Sequence, residues 1–270
     1  MSNDFGISCG VRQGSLLSPH LFNLYMSDMS KKLSKYKIGC MLNDRIVNHL
    51  IYADDIVVIS PSLAGLQCLV DVCAEFISSR KLIINANKTK CVKFCKRKND
   101  SIPQTSITVN GTAIEFVNEI RYLGYFLTSD NTDVKHIGSL YRGLCIRANM
   151  LLRNFLKCAD DVKCLLFRSF CVSFYCMPLI LKARLSDIKR LNICYNNSLR
   201  KLFNMEWRSS ISQMCVQKGI PTFGEVRRKS VVGLLHRLKS SNNTIIRSLV
   251  DVNYFYRSFI FDVWRPIAYV

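Results

Sequence analysis

Acidic residues are scarce in this chain: Asp and Glu number 19 against 38 Lys and Arg, for a formal net charge of +19 over 270 residues. Such a balance points to a polyanionic partner, usually nucleic acid and less often an acidic membrane surface. A basic protein with no such partner is the plain alternative that charge alone leaves open. Histidine is scarcer still, with four widely separated residues, and none of the 13 cysteines stands in a CxxC pair. The closest pairs are Cys91/Cys95, Cys68/Cys73 and Cys171/Cys176, so no zinc-ligand spacing emerges. Most cysteines sit among apolar residues and read as small core hydrophobes. No secretory signal precedes them, and a chain this long is not expected to rest on a disulfide framework. A membrane-spanning run is also missing. The apolar stretch from Ser169 to Leu181, between Arg168 and Lys182, is 13 residues long, short of the ~20 that a spanning helix needs; a buried helix is expected there. No internal repeat and no low-complexity linker stands out.

Hydrophobic residues make up 49% of the chain, which is the composition of a folding sequence. The length suits one large domain or two ordinary ones. Charge is unevenly spread. Residues 1–135 hold 16 Lys/Arg and 12 Asp/Glu, whereas residues 136–270 hold 22 and 7. The second half is the better candidate for gripping a phosphate backbone.

Gly10-Val11-Arg12-Gln13-Gly14-Ser15 reads as a glycine-punctuated loop, and Ser18-Pro19 as an N-cap with proline at the first helical position. Phe22, Met26, Met29 and Leu33 then keep helical spacing. Residues 46–60 read as two strands, Ile46 to Tyr52 and the apolar run from Ile56, around the turn Ala53-Asp54-Asp55. A helix fits Ser62 to about Ser79, with Leu66, Val70, Cys73 and Ile77 as its stripe. Strands are expected at Lys81–Asn85 and Thr89–Cys95, and Asn110-Gly111 is a two-residue hairpin signal. Arg121 to Leu127 reads as a strand whose Gly124 suggests a bulge or a close backbone approach. From about residue 134 the period becomes helical. Leu140, Leu144, Ala148, Leu151 and Phe155 stripe one face, with Arg142, Arg153 and Lys157 roughly opposite. Further helices fit residues 161–177, 185–204 and 223–240.

Asp54 and Asp55 are the sharpest chemical feature. Two carboxylates in a tight turn repel each other, and a divalent metal relieves that repulsion: hard oxygen ligands hold Mg²⁺ while it also binds phosphates. Two such ions can clamp the attacking and leaving oxygens of phosphoryl transfer. A solvated Asp-Asp turn is the alternative. The loop Gly10 to Gly14 offers close backbone approach, with Arg12 and Gln13 as polar contacts at the amino end of a helix. A glycine turn capping a helix accounts for it equally well.

Taken together these features resemble a family. Val11-Arg12-Gln13-Gly14-Ser15-Leu16-Leu17-Ser18-Pro19 with Leu21-Phe22-Asn23-Leu24-Tyr25 is similar to the template- and nucleotide-contacting block of reverse transcriptases. Tyr52-Ala53-Asp54-Asp55 resembles their metal-binding hairpin, and Asn85-Ala86-Asn87-Lys88-Thr89-Lys90 the next block, with a lysine near the incoming triphosphate. Tyr122-Leu123-Gly124-Tyr125 resembles the primer-grip hairpin of the non-LTR retrotransposon group. The four blocks keep the family's order and cover residues 5–128. More loosely, Asn196 to Leu202 and Phe223 to Ser230 resemble stretches of non-LTR elements.

The resemblance implies an α+β fold: a partial palm over residues 1–133, its antiparallel sheet carrying helices on one face, then a helical thumb over 134–240 and an unassigned segment, 241–270. It implies an RNA-directed DNA polymerase using dNTPs, an RNA template, a DNA primer and two Mg²⁺ ions, working in the nucleus or cytoplasm and not at a membrane. Asp54 and Asp55 would be two of three catalytic aspartates, with Asp54 ahead as direct ligand. Arg12, Gln13, Gly14, Ser15, Tyr52 and Lys88 would contact template and nucleotide. Tyr122, Leu123 and Gly124 would grip the primer end, and Arg142, Arg153 and Lys157 the backbone. The family's third aspartate and its fingers belong before the Gly10 loop, where only Met1 to Phe5 stands, and Asp4 lies in no such block. The expectation is a truncated copy or gene fragment, inactive by itself. A non-catalytic nucleic-acid-binding remnant is the alternative.

Overall fold

The computed structural model describes residues 14–43, 45–94, 106–250, 255 and 258–268. They form two compact units, one of residues 14–91 with 106–116, the other of residues 92–94 with 117 onward. Arg12, Gln13 and Cys95 lie outside the described residues.

In the first unit, α1 (Ser18–Ser34) packs on α2 (Leu63–Ser79). The three- and four-residue spacing of α1 buries Met26, Met29 and Leu33 against Leu69, Val72, Cys73, Phe76 and Ile77. The buried face of α2 is thus wider than the expected stripe and turned from it, since Leu66 and Val70 are only half-buried. Helix α1 starts at Ser18, with Leu17 as N-cap and no side-chain cap bond. Ser62 does cap α2, accepting from Gly65 N at 3.2 Å.

Two short hairpins join these helices: β1 (Cys40–Leu42) with β2 (Arg45–Val47), and β3 (His49–Tyr52) with β4 (Asp55–Val58). The strand expected from Ile46 to Tyr52 is therefore split. At the break stands Asn48, a buried polar residue whose Nδ2 donates to the carbonyls of Leu33 (2.9 Å) and Tyr36 (3.3 Å) at the end of α1. Those bonds satisfy carbonyls at the helix end, while the Asn48 backbone O still accepts from Ile59 N at 2.8 Å. Lys81–Asn85 is not a strand. Lys81 has φ 55 and Leu82 N bonds back to Ile77 O at 3.0 Å, so the chain reverses there and tucks Leu82 and Ile84 under the two helices. Of the expected Thr89–Cys95 strand, only β5 (Lys90–Cys91) forms among the described residues, pairing parallel with β7 (Thr112–Phe116). The Asn110-Gly111 turn joins β7 to β6 (Ile107–Val109), both turn residues taking positive φ as a two-residue hairpin requires. Gln67 of α2 holds that edge, bonding Thr108 N (2.8 Å) and Thr108 O (2.9 Å).

The second unit opens with hairpin β8 (Glu119–Tyr122) and β9 (Tyr125–Thr128), packed on α3 (Val134–Phe155). It continues with α4 (Asp160–Phe170), a 3-10 turn (Met177–Leu179), α5 (Leu185–Leu202), α6 (Ile211–Lys218), α7 (Phe223–Lys239), α8 (Thr244–Val250) and α9 (Phe259–Ala268). The expected stripe of α3 is buried at Leu140, Leu144, Ala148 and Leu151, against Phe167, Leu191, Tyr195 and Leu199. Tyr195 is wholly buried and donates its hydroxyl to Pro221 O at 2.6 Å. The helix expected to reach residue 177 stops at Phe170. Cys176 takes φ 55 and Pro178 follows, yet the segment still buries Cys171, Phe174, Met177 and Ile180. Val231, Leu235, Phe255 and Trp264 form a second cluster, in which Trp264 Nε1 donates to Pro178 O at 2.8 Å.

The chain is thus mixed α+β. Among the described residues its strands form four small sheets instead of one continuous sheet, and one pairing is parallel. No described helix is long and apolar enough to cross a membrane.

Candidate functional site

In the β3–β4 hairpin, Ile51 pairs with Ile56 and Tyr52 with Asp55. Cross-strand partners share a face, so Ile51, Ile56 and Val58 pack on the α1–α2 cluster while Leu50, Tyr52, Asp55 and Val57 take the other. Ala53 makes the turn with φ 53, a left-handed conformation unusual for a residue with a Cβ. Asp54 and Asp55 follow at the tip, both exposed, beside a Tyr52 that is 64% exposed. No Lys or Arg pairs with either carboxylate among the described residues. Both carboxylates are open to solvent and offer the hard oxygen donors that a divalent cation takes. Among the described residues no group of three or more His, Cys, Asp or Glu able to hold a metal occurs.

Gly14 has φ +81 and open space where a Cβ would stand, so backbone conformation, and not crowding, is what selects glycine there. Ser15 O accepts from Ser18 N at 3.3 Å, leading directly into α1. Lys88 lies in a turn pinned by Asn85, whose Oδ1 and O each accept from Lys88 N at 3.1 Å; its side chain is exposed. Gly14, Ser15, Tyr52, Asp54, Asp55 and Lys88 thus all belong to the first unit. No hydrogen bond or ion pair joins their side chains among the described residues.

The second unit holds Tyr122, Leu123 and Gly124. They form a hairpin turn where one strand was expected, with Leu123 at φ 45 and Gly124 at φ 82. The close approach expected at Gly124 is there: an added Cβ would stand 2.9 Å from Tyr175 Cε1. Behind the turn lies a polar network that sequence spacing did not single out. Tyr125 Oη donates to Asp133 Oδ1 at 2.6 Å, and Asp133 Oδ2 accepts from Lys182 N at 2.5 Å. The rings of Tyr125 and His136 lie 4.1 Å apart, and His136 Nε2 meets Tyr175 O at 3.1 Å. Burial raises the Tyr125 hydroxyl's pKa above its usual value, with the bond to Asp133 and its charge adding to the shift. Burial likewise lowers that of His136. A histidine within the apolar stripe of α3 was the available signal.

Arg142 and Arg153 lie 11 residues apart on α3, about three turns, and so share a face. Lys157 follows one turn on, just past the helix end. All three are exposed and form no ion pair with any described residue.

Residues 2–127 match the family described as reverse transcriptase (RNA-dependent DNA polymerase). Over 254 residues, 90% of this chain, the sequence is 26% identical to the RNA-directed DNA polymerase from mobile element jockey of Drosophila funebris. It is 25% identical to the jockey polymerase of Drosophila melanogaster over the same length. It is also 34% identical over 134 residues, 47% of this chain, to the retrovirus-related Pol polyprotein from type-2 retrotransposable element R2DM of Drosophila melanogaster, of which it covers 13%. The chain spans 27% of the length of each jockey relative.

Proposed function

We propose that this chain is the palm and thumb portion of the reverse transcriptase of a non-LTR retrotransposon, an RNA-directed DNA polymerase. The observation that carries the reading is the β3–β4 tip: two exposed carboxylates without a cationic partner, at the turn of a hairpin inside the segment that matches the polymerase family. Asp54 and Asp55 would hold Mg²⁺, which when bound offsets phosphate charge and favours ionisation of the attacking primer hydroxyl. Arg12, Gln13, Gly14 and Ser15, ahead of α1, and Tyr52, beside the aspartates, would position template and nucleotide. Lys88 would approach the triphosphate as a mobile point charge. Tyr122, Leu123 and Gly124 would hold the primer end, with residues 1–133 as palm and 134–240 as thumb. RNA template, DNA primer and dNTP are then the partners.

Two carboxylates do not complete a two-metal centre. The 270-residue polypeptide by itself is accordingly expected to incorporate no dNTP on a primed RNA template. The deciding experiment is a chimera in which this chain replaces the segment of a jockey polymerase that it matches. Primer extension should survive and fall by orders of magnitude in Asp54→Ala. Extension indifferent to Asp54→Ala and Asp55→Ala would overturn the assignment. Nucleic-acid binding that persists in a folded chimera without extension would favour the non-catalytic remnant.

A further inference from the structure

The chain has two tryptophans, and the structure treats them in opposite ways. Trp264 is 2% exposed and hydrogen-bonded, whereas Trp207 is 71% exposed and its Nε1 has no partner among the described residues. An isolated exposed apolar side chain is ordinary. The setting of Trp207 is not.

Helix α5 ends in a tight reversal. Asn204 takes φ 49, Met205 N donates to Arg200 O at 2.9 Å and Asn204 N to Lys201 O at 3.3 Å. This is a left-handed helix stop that satisfies the last carbonyls and sends the chain back over its own final turn. Met205 packs into the core, and Ser209 N donates to Glu206 O at 3.1 Å. Ser210 caps α6, accepting from Gln213 N at 3.4 Å, and Ile211 is buried. The segment is therefore anchored on both sides of Trp207. The reversal returns the indole to Arg200, whose guanidinium carbon lies 5.1 Å from the ring centroid. Arg200 is itself steadied by Asn197, to whose Oδ1 its Nη1 donates at 3.2 Å. One side of the indole is thus backed by a fixed cation. Its sequence neighbours are Glu206 and Arg208, both exposed, and Lys201, also exposed, follows Arg200 in the last turn of α5.

An aromatic plate held over a cation, with further exposed Lys and Arg in the same segment, suits a ligand with a flat π face and adjacent negative charge. An unpaired nucleotide has both: the base stacks on the indole and its phosphate meets the cations. A duplex keeps its base faces covered and offers only phosphates. We propose that Trp207, backed by Arg200, is a stacking platform for an unpaired base of single-stranded nucleic acid. The proposal deepens the nucleic-acid reading above but stands on the geometry of the α5–α6 turn.

The test uses the purified 270-residue chain with oligo(dT), oligo(rU) and a duplex, each about 12 nucleotides long, within the usual site size of single-strand binders. Both single strands should quench tryptophan emission and bind more tightly than duplex; a preference between them would identify RNA or DNA as the source of the base. Trp207→Ala should weaken single-strand binding about tenfold, in keeping with the removal of one stacked base, and leave duplex binding within about twofold. Trp207→Phe should keep most of the affinity. Its emission then comes from buried Trp264 alone, reporting that the fold is intact, and should not change on adding oligonucleotide. Trp207→Leu keeps apolar bulk without a π face and should behave like Trp207→Ala, so the question stays open to decision if the alanine variant misfolds. Wild-type affinity in the Ala and Leu variants, or equal losses for duplex and single strand, would overturn the platform while leaving the polymerase reading standing. A wild-type chain that binds none of the three probes would overturn both.

Discussion

Tyr175 donates its hydroxyl to the backbone carbonyl of Leu123 at 2.6 Å while its ring lies against Gly124, so one side chain supports both residues of the β8–β9 turn. The turn needs positive φ at both positions, and Gly124 at φ 82 also leaves room for the ring. Gly124→Ala should therefore cost about 1–3 kcal/mol, from a strained backbone and the approach to Tyr175 Cε1. Tyr175→Phe removes one hydrogen bond and should cost about 0.5–1.5 kcal/mol. Urea denaturation decides between them. If Gly124→Ala proves the milder change, the ring does not constrain the turn as described.

The network behind that turn should make stability depend on pH. His136 is faced by Asp133, Arg121 and the Tyr175 carbonyl, and burial is the largest influence on it, lowering its pKa below the ordinary 6.5. A histidine held neutral in the fold binds a proton more readily once unfolded. Stability is then full above the unfolded pKa and declines as pH falls through 6.5 towards the folded value. Denaturation midpoints between pH ~7.5 and ~5.5 should drop for the wild type, across the range where histidine titrates. They should drop less for His136→Gln. An equal decline in both proteins would assign the effect to other groups.

Period and turn chemistry made the frame legible. The stripes of α1 and α3 and the Asn110-Gly111 hairpin follow directly from spacing and composition, as does the exposed Asp54-Asp55 tip. Failures came where a polar side chain or a special backbone angle overrode local pattern. The side chain of Asn48, at the break between β2 and β3, serves the end of α1, Lys81 turned the chain at the end of α2, and Cys176 with Pro178 broke an apolar run that looked helical. The Tyr125–Asp133–His136 network could not be read from spacing, because Lys182 N and Tyr175, 49 and 39 residues from the groups they bond, complete it. Helix α6 was missed since its eight residues carry too little period to announce themselves.

The exposed cations on α3 and just past its end should act through phosphates. Replacing Arg142, Arg153 and Lys157 together by Gln should weaken binding to RNA, DNA and heteroduplex alike, without changing base preference. For every phosphate that the triple variant leaves unneutralised, the slope of log K against log salt should become shallower by about 0.7–0.9. Filter binding across a salt series measures this. A triple variant with unchanged slope would place the phosphate-binding cations elsewhere.

Hydrogen exchange on the β3–β4 hairpin should show which of its edges takes a further strand. In a two-residue antiparallel hairpin the pair closing the turn is hydrogen-bonded, and bonded pairs then alternate along the ladder. Tyr52 with Asp55 closes this turn, so Leu50 with Val57 is the next bonded pair. The bond from Ile59 N to Asn48 O at 2.8 Å continues that alternation. The amides of Leu50, Tyr52, Asp55 and Val57 should therefore exchange slowly in the isolated chain. Those of His49, Ile51, Ile56 and Val58 point away from the partner strand, and among the described residues β3 and β4 pair only with each other. These amides should exchange fast. Such an edge, carrying the uncharged run Ile56-Val57-Val58-Ile59, is prone to pair with another chain. In the jockey chimera, a palm strand docked beside β4 should slow Ile56 and Val58 while leaving Ile51 fast, and one docked beside β3 should do the reverse. Slow exchange of all eight amides in the isolated monomer would mean that both edges are already covered, and the open-edge argument would fail.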